Sequence, residues 1–164
     1  MRRVLKVVIV ISFVFYLLGL VSLLFLGSRG SVWSDLSLVE YIEKSSNFVP
    51  FKTISTYVKA IFDGSMNLDI PIKNLVGNLI MFFPMGIYLP YLVKRINNVG
   101  IFSFTTIILL FVIEILQSVS RRGSFDIDDF ILNMLGTLIG FGIWKLNFIQ
   151  KLLKPKYQQQ VKSY

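Results

Sequence analysis

The chain has no cysteine and no histidine among its 164 residues. Without cysteine there is neither a disulfide nor a thiolate nucleophile. Without histidine there is no Ser-His or Cys-His catalytic pair and no zinc site of the usual kind. Chemistry is left to carboxylates, amides, hydroxyls and the Arg and Lys side chains. Acidic residues are scarce too, nine against seventeen Lys and Arg, for a formal net charge of +8. A hard divalent cation held by oxygens remains compatible with that set. No Gly-rich phosphate loop is present, because Gly27-Ser28-Arg29-Gly30 lacks the flanking strand and helix such a loop requires. Nor does the positive charge indicate nucleic acid, since Lys and Arg flank apolar runs as anchors.

What the chain has in abundance is apolar sequence. Hydrophobic residues make up 54% of it and the mean hydropathy is +0.68, too apolar for a soluble domain of this size. Four runs approach the ~20 residues that a bilayer requires. The first covers 4–26; its apolar core exceeds the ~7–15 residues of a signal-peptide core and ends without a clean small-x-small cleavage site, so it reads as a retained helix. The others cover 74–93, 101–120 and 127–148. Pro84 and Pro90 lie in the second, where Pro84 should kink the helix near its middle. Gly136 and Gly140 in the fourth would allow close helix approach.

The fold class expected is an all-α integral membrane protein: a bundle of four transmembrane helices in a single domain, with short amphipathic helices in the 27–73 segment. Ser34 to Glu43 reads as one such helix, with Ser37 and Glu40 at capping-box spacing. Ile54, Tyr57, Val58, Ile61 and Phe62 share one face of another, which would lie flat on the bilayer or pack over the bundle mouth. Basic residues set the orientation. Both tails and the Lys94-Arg95 turn are basic and carry no Asp or Glu, whereas the other connections spread seven basic residues over a much longer length. Both termini, including the 149–164 tail, are therefore expected in the cytoplasm of a bacterial cell, with 27–73 on the outer face of the plasma membrane.

Polar residues inside the spans are the candidates for function. Glu114 lies six residues before the end of its span, about 9 Å below the outer boundary at ~1.5 Å per residue. An ionisable group at that depth is costly and faces protein or water. Glu114, Gln117, Ser118 and Arg121 fall within about a 100° arc; Asp126, Asp129, Asn133, Gly136 and Gly140 share roughly 80°, with Asp128 pointing away. Asn133 lies about 10 Å deep and Asn78 roughly 7 Å deep by the same rise, so three spans place amides and a carboxylate at nearly one level. The plainer alternatives are interhelical hydrogen-bond glue for Asn78 and Asn133, interfacial anchors for Arg121 and Arg122, a local contact from Glu114 to Gln117 or Arg121, and a carboxylate cap on the fourth helix from Asp126 or Asp128, the cap being the favoured reading for Asp128.

The order Asn78-Leu-Ile-Met-Phe-Phe-Pro84-Met-Gly86, Glu114-Ile-Leu-Gln117, then Arg122-Gly-Ser-Phe-Asp126-Ile-Asp-Asp129-Phe-Ile-Leu-Asn133-Met-Leu-Gly136 resembles the VanZ-like family, as does Pro50-Phe51 ahead of the second span. The resemblance covers roughly 47–145. It implies a multi-span membrane protein associated with resistance to teicoplanin and related glycopeptides, and it supplies a phenotype rather than a mechanism. Three functions compete. In a recognition protein, Asn78, Gln117, Arg121, Arg122 and Asn133 would line an outward-facing site for a lipid-linked cell-wall precursor, a lipid head group or a lipoglycopeptide. In a membrane enzyme, Glu114 would move a proton while Asp126 and Asp129 held a divalent cation. In a transporter or flippase subunit, Glu114 would relay protons, and so thin a bundle would need a homo-oligomer or another partner.

Overall fold

The computed structural model describes residues 2–26 and 35–153; Gly27 to Gly30, Ser34 and the basic tail from Lys154 lie outside the described residues. Four helical stretches of 24, 24, 21 and 19 residues are long and apolar enough to cross a membrane. They are α1 (Arg2–Val21) with a wider π turn over Ser22–Leu26, the pair α4 (Asp69–Met81) and α5 (Met85–Leu92), α6 (Val99–Val119), and α7 (Ile127–Lys145). Two shorter helices, α2 (Leu38–Ser45) and α3 (Lys52–Asp63), precede α4, and α8 (Asn147–Leu153) follows α7. Among the described residues there is no strand, only an isolated parallel bridge between Asn47 and Asp126.

The spans alternate in direction, so the bundle has two unlike ends. One carries α2, α3 and the Arg121–Asp126 turn and is called the loop end here. The other carries Lys94, Arg95 and Lys145 and is called the basic end. Most large apolar side chains on α1 and α6, such as Phe15, Leu18, Phe104 and Ile108, face outward, as expected where lipid rather than water is the solvent. Inside, Leu20, Leu24, Phe82, Met85 and Leu110 form one core cluster. Phe102, Phe141 and Trp144 form a second at the basic end, where the Phe102 and Phe141 rings stack at 4.1 Å.

Pro84 does more than kink the second span. It divides it into α4 and α5, with Phe82–Pro84 as the joint. Pro84 has no N–H to give to Ile80, and Met85 turns to the Phe82 carbonyl at 3.1 Å. The Met81 carbonyl then takes the Tyr16 hydroxyl of α1 at 2.9 Å, and Tyr88 donates to Ser12 at 3.0 Å. α1 thus repairs the backbone that proline breaks.

The closest seam joins α7 to α4 and α5. A methyl group built on Gly136 would sit 1.9 Å from the Leu79 carbonyl oxygen, one on Gly140 2.1 Å from that of Phe83, and one on Gly86 2.2 Å from that of Thr137. Backbone meets backbone there, as the two glycines of the fourth span suggested. The α7 helix ends at Lys145 rather than at 148. Trp144 Nε1 donates to Asn97 Oδ1 at 2.9 Å and Lys145 Nζ to the Asn97 carbonyl, which pins the helix end against the Lys94–Asn97 turn. Leu146 then turns extended, with ψ 130°. The second span in turn starts at Asp69, a turn and a half before 74, and in its added turn Asp69 and Lys73 pair at 3.0 Å.

α2 begins where its capping box places it. Ser37 N–H donates to Glu40 Oε2 at 2.9 Å, and the Glu40 N–H donates to Ser37 Oγ at 3.3 Å. The Ser37 hydroxyl, and then its N–H, hold the Glu40 carboxyl below its ordinary value. A folded-state value below the unfolded one makes this contribution complete above the unfolded pKa of about 4.3, and it is lost as pH falls through the folded value. Protection of the amides in the first turn of α2, taken relative to their intrinsic exchange rates, is therefore expected to fall only in acid, and Glu40→Gln should abolish that pH dependence.

Candidate functional site

Three carboxylates at the start of α7 do three different things. Asp126 is the N-cap of its own helix, accepting the Asp128 N–H at 2.9 Å on Oδ1. The same oxygen accepts Asn47 Nδ2 at 3.0 Å, and Oδ2 accepts the Thr53 hydroxyl at 2.7 Å. The backbone reinforces this join: Asn47 N–H donates to the Phe125 carbonyl at 2.8 Å and Ile127 N–H to that of Asn47 at 3.0 Å.

Asp128 corrects the expectation for that residue. It points away from the Asp129–Asn133 arc as expected but does not cap α7; it is fully buried, at 0% exposure, and caps α3. Its Oδ1 accepts the Phe51 N–H at 2.5 Å, and its Oδ2 accepts those of Thr53 at 2.7 Å and Ile54 at 3.1 Å. The first turn of a helix leaves N–H groups without intrahelical partners and carries partial positive charge, so a carboxylate suits it. Phe51, at the N-cap of α3, has no side chain that can cap. It adopts φ 63°, a conformation that is strained for a bulky residue and persists only where its surroundings enforce it.

Asp129 completes the run. Its Oδ1 accepts Asn78 Nδ2 at 2.5 Å, joining α7 to α4. One turn further into the bundle, Asn133 is 4% exposed, and its Oδ1 has no hydrogen-bond partner among the described residues. Thr137, below it, donates to the Asn133 carbonyl at 2.7 Å. The arc of Asp129, Asn133, Gly136 and Gly140 is therefore the face that α7 turns toward the second span.

On α6 the buried stripe is Phe102, Thr106, Leu110, Glu114, Gln117 and Ser118, spaced so that every fourth position returns to the same face. Glu114 is 4% exposed, one turn above Leu110 of the core, and so turned away from lipid. Gln117 Nε2 donates to the Leu24 carbonyl at 3.1 Å, in the π turn that ends α1. The Oγ of Ser118, like the Asn133 Oδ1, is buried without a partner among the described residues.

Arg121 and Arg122 lie where α6 ends. Arg122 N–H reaches the Gln117 carbonyl at 2.9 Å and Arg121 N–H that of Ser118 at 3.1 Å, the pattern of a Schellman motif. Arg121 occupies its left-handed position, with φ 54°. Its guanidinium donates to the Leu36 carbonyl at 2.8 Å and lies 5.7 Å from the centroid of the Tyr41 ring. The Tyr41 hydroxyl donates back to the Gly123 carbonyl at 2.9 Å. Arg121 thus fastens α2 to the loop end, while the Arg122 side chain is exposed.

Of the residues singled out from sequence, Asn78 and Asp129 meet directly, Asn133 lies a turn beneath them, and Glu114 and Gln117 face inward on α6. Asp126 is bound to Asn47 and Thr53, neither of which stood out as a candidate. The Asn47 role rests on pairing across 79 positions, which no local pattern announces; its place just before Pro50-Phe51 was the available signal. Among the described residues, no three Asp or Glu side chains gather closely enough to hold a metal ion.

The sequence profile of the VanZ/LLP1 family matches residues 13–150, which extends the likeness into the first span. Protein VanZ of Enterococcus faecium is 27% identical over 130 residues, 79% of this chain and 71% of that protein. No solved structure matches.

Proposed function

We propose that this chain, which belongs to the VanZ/LLP1 family, supports resistance to teicoplanin-type glycopeptides by binding a polar head group within the membrane. The ligand is a lipid-linked cell-wall precursor, a lipid head group or the lipoglycopeptide itself. The loop end faces outward from the bacterial plasma membrane and both termini lie in the cytoplasm, in keeping with Lys94, Arg95, Lys145 and Lys151 at the other end.

The feature that most supports this reading is the buried Asn133 Oδ1 without a donor. A buried unsatisfied acceptor costs about 1–3 kcal/mol, and a hydroxyl or amide of a sugar or peptide head group would supply the missing donor. Asp129 with Asn78, one turn away, and Gln117 and Glu114 on the inward face of α6 add hydrogen-bonding capacity, and Arg121 and Arg122 at the loop end would meet phosphate or carboxylate. Asn133→Ala is expected to lower the teicoplanin concentration tolerated by a strain dependent on this chain to that of a strain lacking it, with the protein still present at its normal level in the membrane. Full tolerance with Asn133→Ala would defeat the binding reading.

Burial of Glu114 favours a second reading, an enzyme acting on a lipid-linked envelope substrate. Glu114 would be the general acid or base, with Asp126 and Asp129 and the substrate's own oxygens around any divalent cation. Glu114→Gln discriminates the two: it keeps hydrogen-bonding capacity but cannot exchange a proton. Retained resistance in Glu114→Gln leaves binding; lost resistance with retained drug or precursor binding indicates catalysis.

A further inference from the structure

α3 has more apolar surface than the protein covers. Its inner face carries Thr53, Tyr57 and the buried Ala60. Beside it lies a second apolar flank of Ile54, Val58, Ile61 and Phe62, about 100° wide at ~100° per residue. It ends in Phe62, which is 86% exposed. The remaining arc holds Lys52, Ser55, Lys59 and Asp63. A helix standing in water would be expected to place polar groups on every uncovered arc; this one does so on only one of two.

The bare flank is continuous with the lipid-facing belt of the spans at both ends. Beyond its C-terminus, Leu68, Ile70 and Ile72 are exposed and lead into the outer side of α4. Before its N-terminus, Phe51 is 61% exposed and is held outward by the left-handed backbone that Asp128 clamps. Phe48 stacks on Phe125 at 5.2 Å, and Phe125 meets Phe111 edge-on at 6.1 Å. Phe111 lies on the outward side of α6, so aromatic rings run unbroken from the belt to the loop end. Large contiguous apolar patches on an exposed surface mark contact with another phase or molecule. Here the surface it joins is already the one that lipid covers.

We infer that α3 lies in the membrane interface, with the Val58–Phe62 flank and Phe51 among the lipid acyl chains and Lys52 and Lys59 at the level of the head groups. An amphipathic helix of this kind seats its apolar side ~5–10 Å into the head-group and acyl boundary, and lysine stems reach outward from there. The bundle mouth is then walled on this side by a helix in contact with lipid. The inference holds whatever the polar site binds.

The absence of cysteine makes the test direct. Single variants Val58→Cys, Phe62→Cys and Lys59→Cys are each spin-labelled and returned to vesicles of phosphatidylethanolamine and phosphatidylglycerol. Collision with oxygen, which concentrates in lipid, is then compared with collision with a water-soluble nickel chelate. Labels at 58 and 62 should meet oxygen several-fold more readily than nickel, and the label at 59 should show the reverse preference. Nickel access at 62 equal to that at 59 would place the flank in water and overturn the inference. Low access to both reagents at 58 and 62 would show protein covering the flank, and would overturn it equally. Because the labels report position and not resistance, either result leaves the proposed function to be judged separately.

Discussion

Gly136→Ala is expected to lower the stability of the bundle by about 3 kcal/mol or more, at the upper end of what overpacking costs. The added methyl would sit 1.9 Å from the Leu79 carbonyl oxygen and 2.8 Å from its carbon. These are backbone atoms of a packed helix and cannot swing aside as the tip of a side chain can. Relief requires α7 to part from α4, which would break the Asn78–Asp129 bond and open the Gly140–Phe83 contact one turn below. Gly142 and Gly77 lie in the same two spans, with nothing within 4 Å of where a methyl would stand. Gly142→Ala and Gly77→Ala should be neutral or stabilising by up to about 1 kcal/mol, because alanine is the better helix former. Unfolding titrations in mixed micelles would measure all three variants. Equal losses at 136 and 142 would mean that glycine matters here for reasons other than helix approach.

Asp128→Ala is expected to be as damaging but in a different place. Three backbone N–H groups lose a charged acceptor, and hydrogen bonds to charged groups are worth about 1.5–3 kcal/mol each. Non-additivity brings the expected loss to roughly 3–5 kcal/mol, the usual cost of breaking a buried charged arrangement. The loss should be local at first. α3 comes away from the loop end while the spans stay together, so amide exchange in Thr53 and Ile54 accelerates ahead of that in α6 or α7. Asp128→Asn keeps the shape and one acceptor oxygen but presents an NH2 group to at least one N–H donor, so it should fall between Ala and the wild type. If Asp128→Ala left exchange in α3 unchanged, the Phe51–Ile54 turn would be held by its own backbone and not by this carboxylate.

The four spans were legible because a bilayer demands long apolar runs, and such runs survive in any register. The inward faces of α6 and α7 were legible for a related reason: helical periodicity puts Glu114 with Gln117, and Asp129 with Asn133 and Gly136, whatever the neighbours are. The positions of neighbours were not. A helical wheel shows Asp128 diverging from the main arc of α7 and cannot show that α3 waits on that side. Phe51 gives no sign of starting a helix, since its cap comes from a residue 77 positions away. Ser37 and Glu40 gave every sign, because their cap is contained within four residues. Pro84 marked the break in the second span, but the hydroxyl that repairs it belongs to Tyr16 of another span. Asn78 and Asn133 were placed at nearly one depth by counting from the end of each span, a count that says nothing of how α4 and α7 are offset along their axes. Asn78 meets Asp129 instead, a turn nearer the loop end than Asn133.

The bridge between Asn47 and Asp126 also imposes a schedule. The two residues of the bridge are 79 positions apart, so on a chain growing at ~5–20 residues per second the first waits roughly 4–16 s for the second to be made. Throughout that interval α3 has no carboxylate at its N-terminus, although its own sequence is long since complete. Closure of the loop end is thus among the last acts of biogenesis, and a chain halted after α6 would carry three spans with α3 still unfastened.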